Sequence, residues 1–266
     1  MVLSVKLKKA SLVGAFFVSV AWAGLAQAFC PLQADLPQLA VKQVVDGDTL
    51  RLVDGRSVRL IGLNAPELGR QGRGDEPFAV QAQRRLQALV AANDGRVGLR
   101  PGREGKDRYG RTLAHLYDRQ GRNLEARLLA EGLGFMVAVA PNVALVSCQQ
   151  SAERQARQQR LGLWRKEQVQ AAGQLRSGGF ALLGGRVSQV QRNRGGLWLE
   201  LDGGRVLRVA PALLEQFDVR ALQRLEGARV EARGWVIDRQ SRGGLKSAQA
   251  RWMLPLTHPA MLEVLP

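Results

Sequence analysis

Cysteine and histidine are scarce in this 266-residue chain, which has two of each. No His/Cys cluster exists to hold zinc, and neither cysteine stands at metal-ligand spacing from another. Acidic residues are also outnumbered, 23 against 39 lysines and arginines, for a formal charge of +16. That excess says nothing about chemistry by itself, but it makes a polyanion the natural partner and predicts association that weakens with salt. Long apolar runs are missing too. Beyond the first 28 residues no segment is apolar enough to span a bilayer, so no integral membrane segment is expected in the mature chain.

The first 28 residues read as a secretory signal peptide. Lys6, Lys8 and Lys9 precede the apolar run from Leu12 to Leu25, and Ala26-Gln27-Ala28 supplies small residues for cleavage. An uncleaved anchor is the alternative. Removing this leader takes away three lysines and no acid, lowering the charge from +16 to +13. Export to the periplasm or outside the cell implies an oxidising compartment, and Cys30 and Cys148 are then expected to form a disulfide. Closing so long a loop contributes about 4 to 5 kcal/mol if unstrained.

Alternation of apolar residues predicts strands at Val41–Val45, Thr49–Val53 and Ser57–Leu63, with Asp54-Gly55 as a hairpin turn, and further strands at Val97–Arg100 and Thr112–Tyr117. Helical periodicity covers Phe78–Ala92, Asn123–Gly132 and Cys148–Leu161. Strands joined by hairpins, with helices following, argue for an α+β, mainly β, domain on a closed antiparallel sheet. Around Gly173–Gly179 the composition turns Gly- and Ser-rich, which reads as a linker. Five further strand-like runs follow, at Gly185–Val190, Leu197–Leu201, Val206–Val209, Arg229–Val236 and Lys246–Met253, with a helix-like stretch at Pro211–Leu225. That order resembles a second, smaller OB-like barrel. The expected organisation is a signal peptide at 1–28, a first domain at 29–170, a linker at 171–180 and a C-terminal domain at 181–266, for which no partner protein is indicated. Core packing is the favoured reading of Trp198, Trp235 and Trp252, and stacking on bases the other. His115 is read as packed or solvated.

The chemistry-bearing residues are concentrated between Asp46 and Arg111. Asp46-Gly47-Asp48-Thr49 is followed by Arg59-Leu60-Ile61-Gly62-Leu63-Asn64-Ala65-Pro66-Glu67, and then by Asp107-Arg108-Tyr109-Gly110-Arg111. Oxygen donors such as Asp46, Asp48 and Asn64 suit a hard cation, calcium before others. A carboxylate such as Glu67 accepts a proton from water, and the forked guanidinium groups of Arg59 and Arg111 match a phosphate.

These three pieces, in this order, resemble the thermonuclease (staphylococcal nuclease-like) family from about Val41 to Trp164, where Leu161-Gly162-Leu163-Trp164 looks like its closing segment. The resemblance implies an OB-fold-type five-stranded barrel and endonucleolytic cleavage of DNA and/or RNA that leaves 5′-hydroxyl and 3′-phosphate ends. It implies Asp48, Asn64 and the Ala65 carbonyl as ligands of Ca2+, with Asp46 nearby. Glu67 becomes the general base, Arg59 and Arg111 take the phosphate, and Arg108 and Tyr109 join the substrate contacts. Arg70 and Arg73, in the Gly-rich loop Leu68–Glu76, either close over nucleic acid as a basic flap or lie in a loop without that role. Two departures stand out. Asn64 replaces an expected Asp, which withdraws one negative charge and predicts weaker calcium binding. Val137–Ala140 lacks the tyrosines that grip a terminal nucleotide, so binding should lean more on charge. The alternative to an enzyme is a nucleic-acid-binding module with a degenerate metal site.

Overall fold

The computed structural model describes residues 29–32, 35–69, 72–242 and 249–266. The expected leader at 1–28 and Arg70 lie outside them. Among the described residues no helix is long and apolar enough to cross a membrane.

The first half forms strands β1 (Gln38–Val44), β2 (Thr49–Leu52), β3 (Ser57–Leu60) and β4 (Leu63–Asn64), helix α1 (Ala79–Ala91), strands β5 (Arg96–Lys106) and β6 (Thr112–Tyr117), helix α2 (Leu124–Ala130), strand β7 (Phe135–Met136) and helix α3 (Val146–Gln158). Five strands close a barrel in the order β1-β2-β3-β6-β5. All of its pairings are antiparallel except β3 with β6. The hairpin turn at Asp54-Gly55 forms as expected, because Gly55 adopts φ 92° and the Asp54 carboxylate receives the Arg56 N–H at 3.0 Å. Helix α2 begins where Asn123 caps it, its side chain accepting from the Ala126 N–H at 2.8 Å.

The second half comprises β8 (Val169–Ala171), β9 (Gly179–Asn193), β10 (Gly196–Leu201), β11 (Arg205–Val209), helix α4 (Val219–Gln223), β12 (Arg229–Asp238), β13 (Trp252–Leu256) and β14 (Leu262–Leu265). The pairing of β12 with β9 closes a second five-stranded ring, β9-β10-β11-β13-β12, with β8 and β14 added outside it. The helix-like stretch expected at Pro211–Leu225 is two pieces, a 3-10 turn over Pro211–Gln216 and α4, because Asp218 caps a new helix through the Ala221 N–H at 2.9 Å. The last expected strand starts at Trp252 rather than at residue 246, and residues 246–248 are not described. Within the stretch expected as a linker, Ala172 and Leu175 are buried.

One continuous apolar cluster contains residues of both barrels, from Leu50 to Leu256. Helix α3 joins them through side chains four residues apart, a spacing that aligns one face of a helix. Gln149 donates to the Ile61 carbonyl at 3.0 Å, Glu153 accepts from the Met136 N–H at 2.7 Å, and Arg157 reaches Glu231 on β12 at 2.6 Å. Arg233 completes the set by pairing with both Glu153 and Glu231. A disulfide between Cys30 and Cys148 ties the segment before β1 to the same helix, 118 residues apart, as expected.

Candidate active site

The turn between β1 and β2 carries two acids that the fold buries: Asp46 is 8% exposed and Asp48 4%. Gly47 is required between them, since an added Cβ would lie 2.6 Å from the Cβ atoms of Ala65 and of Ala82 on α1. The turn is thereby pressed against the segment that follows β4. Asp46 Oδ1 accepts the Asp48 N–H at 3.1 Å and fixes the turn further.

Arg59 stands opposite Thr49 in the β2–β3 register, which brings its guanidinium to Asp48. Nη1 lies 2.7 Å from Asp48 Oδ2 and donates to the Leu63 carbonyl at 2.8 Å, while Nη2 makes a longer contact of 3.4 Å with Asn64 Oδ1. The Ala65 N–H donates to the same Asp48 oxygen at 2.8 Å, and Thr49 Oγ1 donates to the other at 3.0 Å. Both carboxylate oxygens therefore have partners. Burial pushes the Asp48 carboxyl up to about 7; Arg59 opposes that rise and Asp46 adds to it. Desolvation outweighs an ion pair of good geometry here.

Asn64 sits on β4, a two-residue strand paired with β7 so that Asn64 faces Phe135 and Leu63 faces Met136. Gly62, at φ 86°, permits the turn into β4; a Cβ there would run into the Gln149 side chain. Residues of the second barrel hold the strand that follows. Thr257 Oγ1 donates to the Ala138 carbonyl at 2.6 Å, and the Ala138 N–H points at Met261 Sδ at 3.1 Å. Val137 and Ala138 are buried and Val139 is exposed.

Glu67 is exposed three residues beyond Asn64. Its N–H donates to Glu76 Oε2 at 2.9 Å, and the Glu76 N–H returns to the Glu67 carbonyl at 3.0 Å. Gly69 donates to Asp75 Oδ1 at 2.8 Å, so the ends of the Leu68–Glu76 loop are tied together, with Arg73 exposed within it. Arg111 enters β6 one residue before Thr112, the parallel partner of Val58, and so lies beside the strand that bears Arg59. Its Nε donates to Asp107 Oδ2 at 2.6 Å. Partial burial works against the Asp107 carboxylate, but donors from Arg111 and Tyr109 outweigh it and hold its pKa below the ordinary value. Tyr109 is 68% exposed, with the Arg108 and Arg111 guanidinium carbons 4.8 and 5.5 Å from its ring centre.

Asp46, Asp48, Arg59, Asn64 and the Ala65 backbone are brought together, Arg108, Tyr109 and Arg111 gather around Asp107 beside β3, and Glu67 is exposed at the start of the loop that follows. His115 is packed, buried and 3.4 Å from Glu125. Phe135, Thr257 and Met261 are not marked by the sequence: the last two lie more than a hundred residues from the motifs, and no local signal points to them.

A family model described as "Staphylococcal nuclease homologue" matches residues 57–166, a stretch that holds Arg59, Asn64, Glu67 and Arg111 and begins just after Asp48. The chain is 32% identical over 129 residues to a thermonuclease of Staphylococcus intermedius, a match covering 47% of this chain and 75% of that protein. A micrococcal nuclease of Shigella flexneri is 31% identical over 137 residues, 47% of this chain and 71% of its own. An uncharacterized endonuclease of Escherichia coli is 28% identical over 127 residues, 47% and 74% of the two chains.

Proposed function

The chain belongs to the staphylococcal nuclease homologues, and from that membership and its buried acid cluster we propose that it is an exported, calcium-dependent endonuclease of DNA and/or RNA. The single observation that carries this reading is the pair of buried carboxylates, Asp46 and Asp48, held side by side in the β1–β2 turn with Arg59 against Asp48. The two acids lie close enough for Asp46 to add to the rise of the Asp48 pKa, and burial has already driven Asp48 towards neutrality. A divalent cation relieves both strains. The donors are all oxygen: Asp46, Asp48, Asn64 and the Ala65 carbonyl would hold Ca2+. Among the described residues no three acids or histidines gather to do so, so water must supply several ligands.

When bound, the cation supplies charge stabilisation for the phosphodiester as negative charge builds on its oxygens. Arg59 keeps Nη1 on Asp48 and the Leu63 carbonyl and offers its Nη2 edge, which among the described residues makes the long Asn64 contact, to a phosphate oxygen. Arg111 stays anchored through Nε and presents its outer nitrogens, with Arg108 and Tyr109 flanking the strand. Glu67 accepts a proton from water as the water oxygen bonds to phosphorus and the bond to the 5′ oxygen breaks. That oxygen leaves as an alkoxide whose charge Arg111 is at hand to ease, and it takes a proton from solvent water to become the 5′-hydroxyl. Arg73, with Arg70, adds positive charge in the neighbouring loop.

Export is supported by the leader pattern and by the Cys30–Cys148 disulfide. The division into a nuclease domain at 29–170, a connecting stretch at 171–180 and a C-terminal domain at 181–266 belongs to the same proposal. A non-catalytic nucleic-acid binder is the second reading, favoured by Asn64 and by the full set of partners on Asp48. Incubating plasmid and single-stranded RNA with the protein, in calcium or in chelator and beside Glu67→Ala, separates the two. Cleavage that needs both calcium and Glu67 supports the enzyme; binding without such cleavage supports the binder.

A further inference from the structure

Outside the cluster just described, a cavity of about 330 Å³ opens at the seam of the barrels, lined by Arg157, Arg160, Trp164, Arg165, Lys166 and Glu167. Four cations face one acid there. Arg157 is matched by Glu231, so an excess of two positive charges remains. Basic residues at a helix C-terminus are often explained by the helix dipole, which accounts for Arg157 and Arg160 at the end of α3. It does not account for Arg165 and Lys166, at the end of the 3-10 turn Gly162–Arg165.

Trp164 is 6% exposed, and its indole N–H is a buried donor with no partner among the described residues. An unmet buried donor is costly unless a ligand or water pairs with it. The Arg157 guanidinium carbon lies 5.1 Å from the centre of the Trp164 ring. From Trp164 a row of rings crosses the seam: Phe135 at 5.5 Å, Phe180 at 5.4 Å from Phe135, and Trp235 at 5.3 Å from Phe180. Trp235 is 41% exposed, unlike Trp252, so the core packing expected for these tryptophans fails at this one. Phe135 is also the register partner of Asn64, which places this row one residue from the acid cluster.

We propose that the Arg160–Trp164–Lys166 cavity is a second phosphate site, engaging the backbone of a single strand whose scissile bond lies at the Asp48–Arg59 cluster. The cavity supplies charge and a hydrogen-bond donor, and the exposed Trp235 ring supplies a stacking surface that a single strand can use and a paired duplex cannot. The proposal rests on the nucleic-acid reading above.

The test uses full-length protein carrying Arg160→Glu and Lys166→Glu, both exposed and outside the acid cluster, with Arg165→Ala as a milder variant and thermal melts to confirm folding. In chelator, anisotropy of a labelled 20-nucleotide single strand should show binding weakened about tenfold or more. The slope of log affinity against log salt should become shallower by about 0.7 for each phosphate that the variant no longer engages. Calcium-dependent cleavage of a dinucleotide ester, too short to reach the cavity, should stay unchanged, and the Trp164 indole proton should shift on titration with the 20-mer. Unchanged 20-mer affinity in folded variants overturns the proposal. So does saturation of the Trp164 signal by inorganic phosphate alone without competition from the oligonucleotide, which marks a free-phosphate site. If the wild type cleaves nothing but the affinity difference persists, the nuclease reading fails and the cavity stands.

Discussion

Two buried groups of charges lie on either side of the β4–β7 pair. On one side Asp46 and Asp48 lie together in the β1–β2 turn, with Arg59 on Asp48. On the other Glu153 and Glu231 alternate with Arg157 and Arg233, two acids against two bases. The second set is balanced and links helix α3 to β12, so its charges are used up in holding the barrels together. In the first, burial has pushed Asp48 up to about 7, because Arg59 does not offset desolvation and the neighbouring Asp46 adds to it. A balanced buried network serves structure, while one that holds a carboxylate near neutrality against its own ion pair is out of balance and prepared for a ligand.

If that contrast is sound, replacements in the two networks have opposite signatures. The largest effect is expected from Asp48→Asn, which keeps the hydrogen-bond shape but removes the charge: cleavage should fall by about 100- to 1,000-fold while the melting temperature holds or rises. A variant that unfolded easily would place Asp48 among structural residues. Arg233→Met should do the reverse, leaving two buried acids with only Arg157 and lowering stability by about 3 to 5 kcal/mol in denaturant titrations. Replacing Glu153 and Arg233 together by apolar residues should recover most of that loss, and failure to recover would mean that the pair does more than balance charge. Asn64→Asp sharpens the unbalanced side, and the calcium needed for half-maximal cleavage should drop about tenfold. No change would remove Asn64 from the ligand set. The smallest effect concerns Asp107, whose depressed pKa contributes stability present above the ordinary carboxylate value, about 4, and lost as pH falls through its own lower value. Asp107→Asn should melt lower than the parent at pH 7 and converge with it in acid; parallel curves would show that the Arg111 pairing is too weak to matter.

The unbalanced cluster was largely legible in the sequence, because its parts are short motifs and one strand register, Thr49 opposite Arg59, brings them together. Strand ends were less legible. Strand β5 runs on to Lys106, past the expected end at Arg100, through residues without alternation that pair with β6 at Pro101 and then, after a break in register, at Lys106 with Thr112. Strands β8 and β14 are three and four residues long, too short for a period to show. The balanced network was invisible, since Glu153 and Arg157 read as ordinary polar residues of a basic helix until β12 is brought against them. Burial of a charge is a property of the packed seam, and local composition carries no trace of it.

The three side chains that α3 spaces four apart make that helix a ruler. Gln149 measures to the turn before Asn64, Glu153 to the strand beside it, and Arg157 to the second barrel. One residue inserted between Gln149 and Glu153 would turn everything beyond it by about 100°. Every motif from Asp46 to Arg111 would survive in the chain, yet two of the three distances would be lost at once. The spacing of the site is thus set at a place where no reacting group stands.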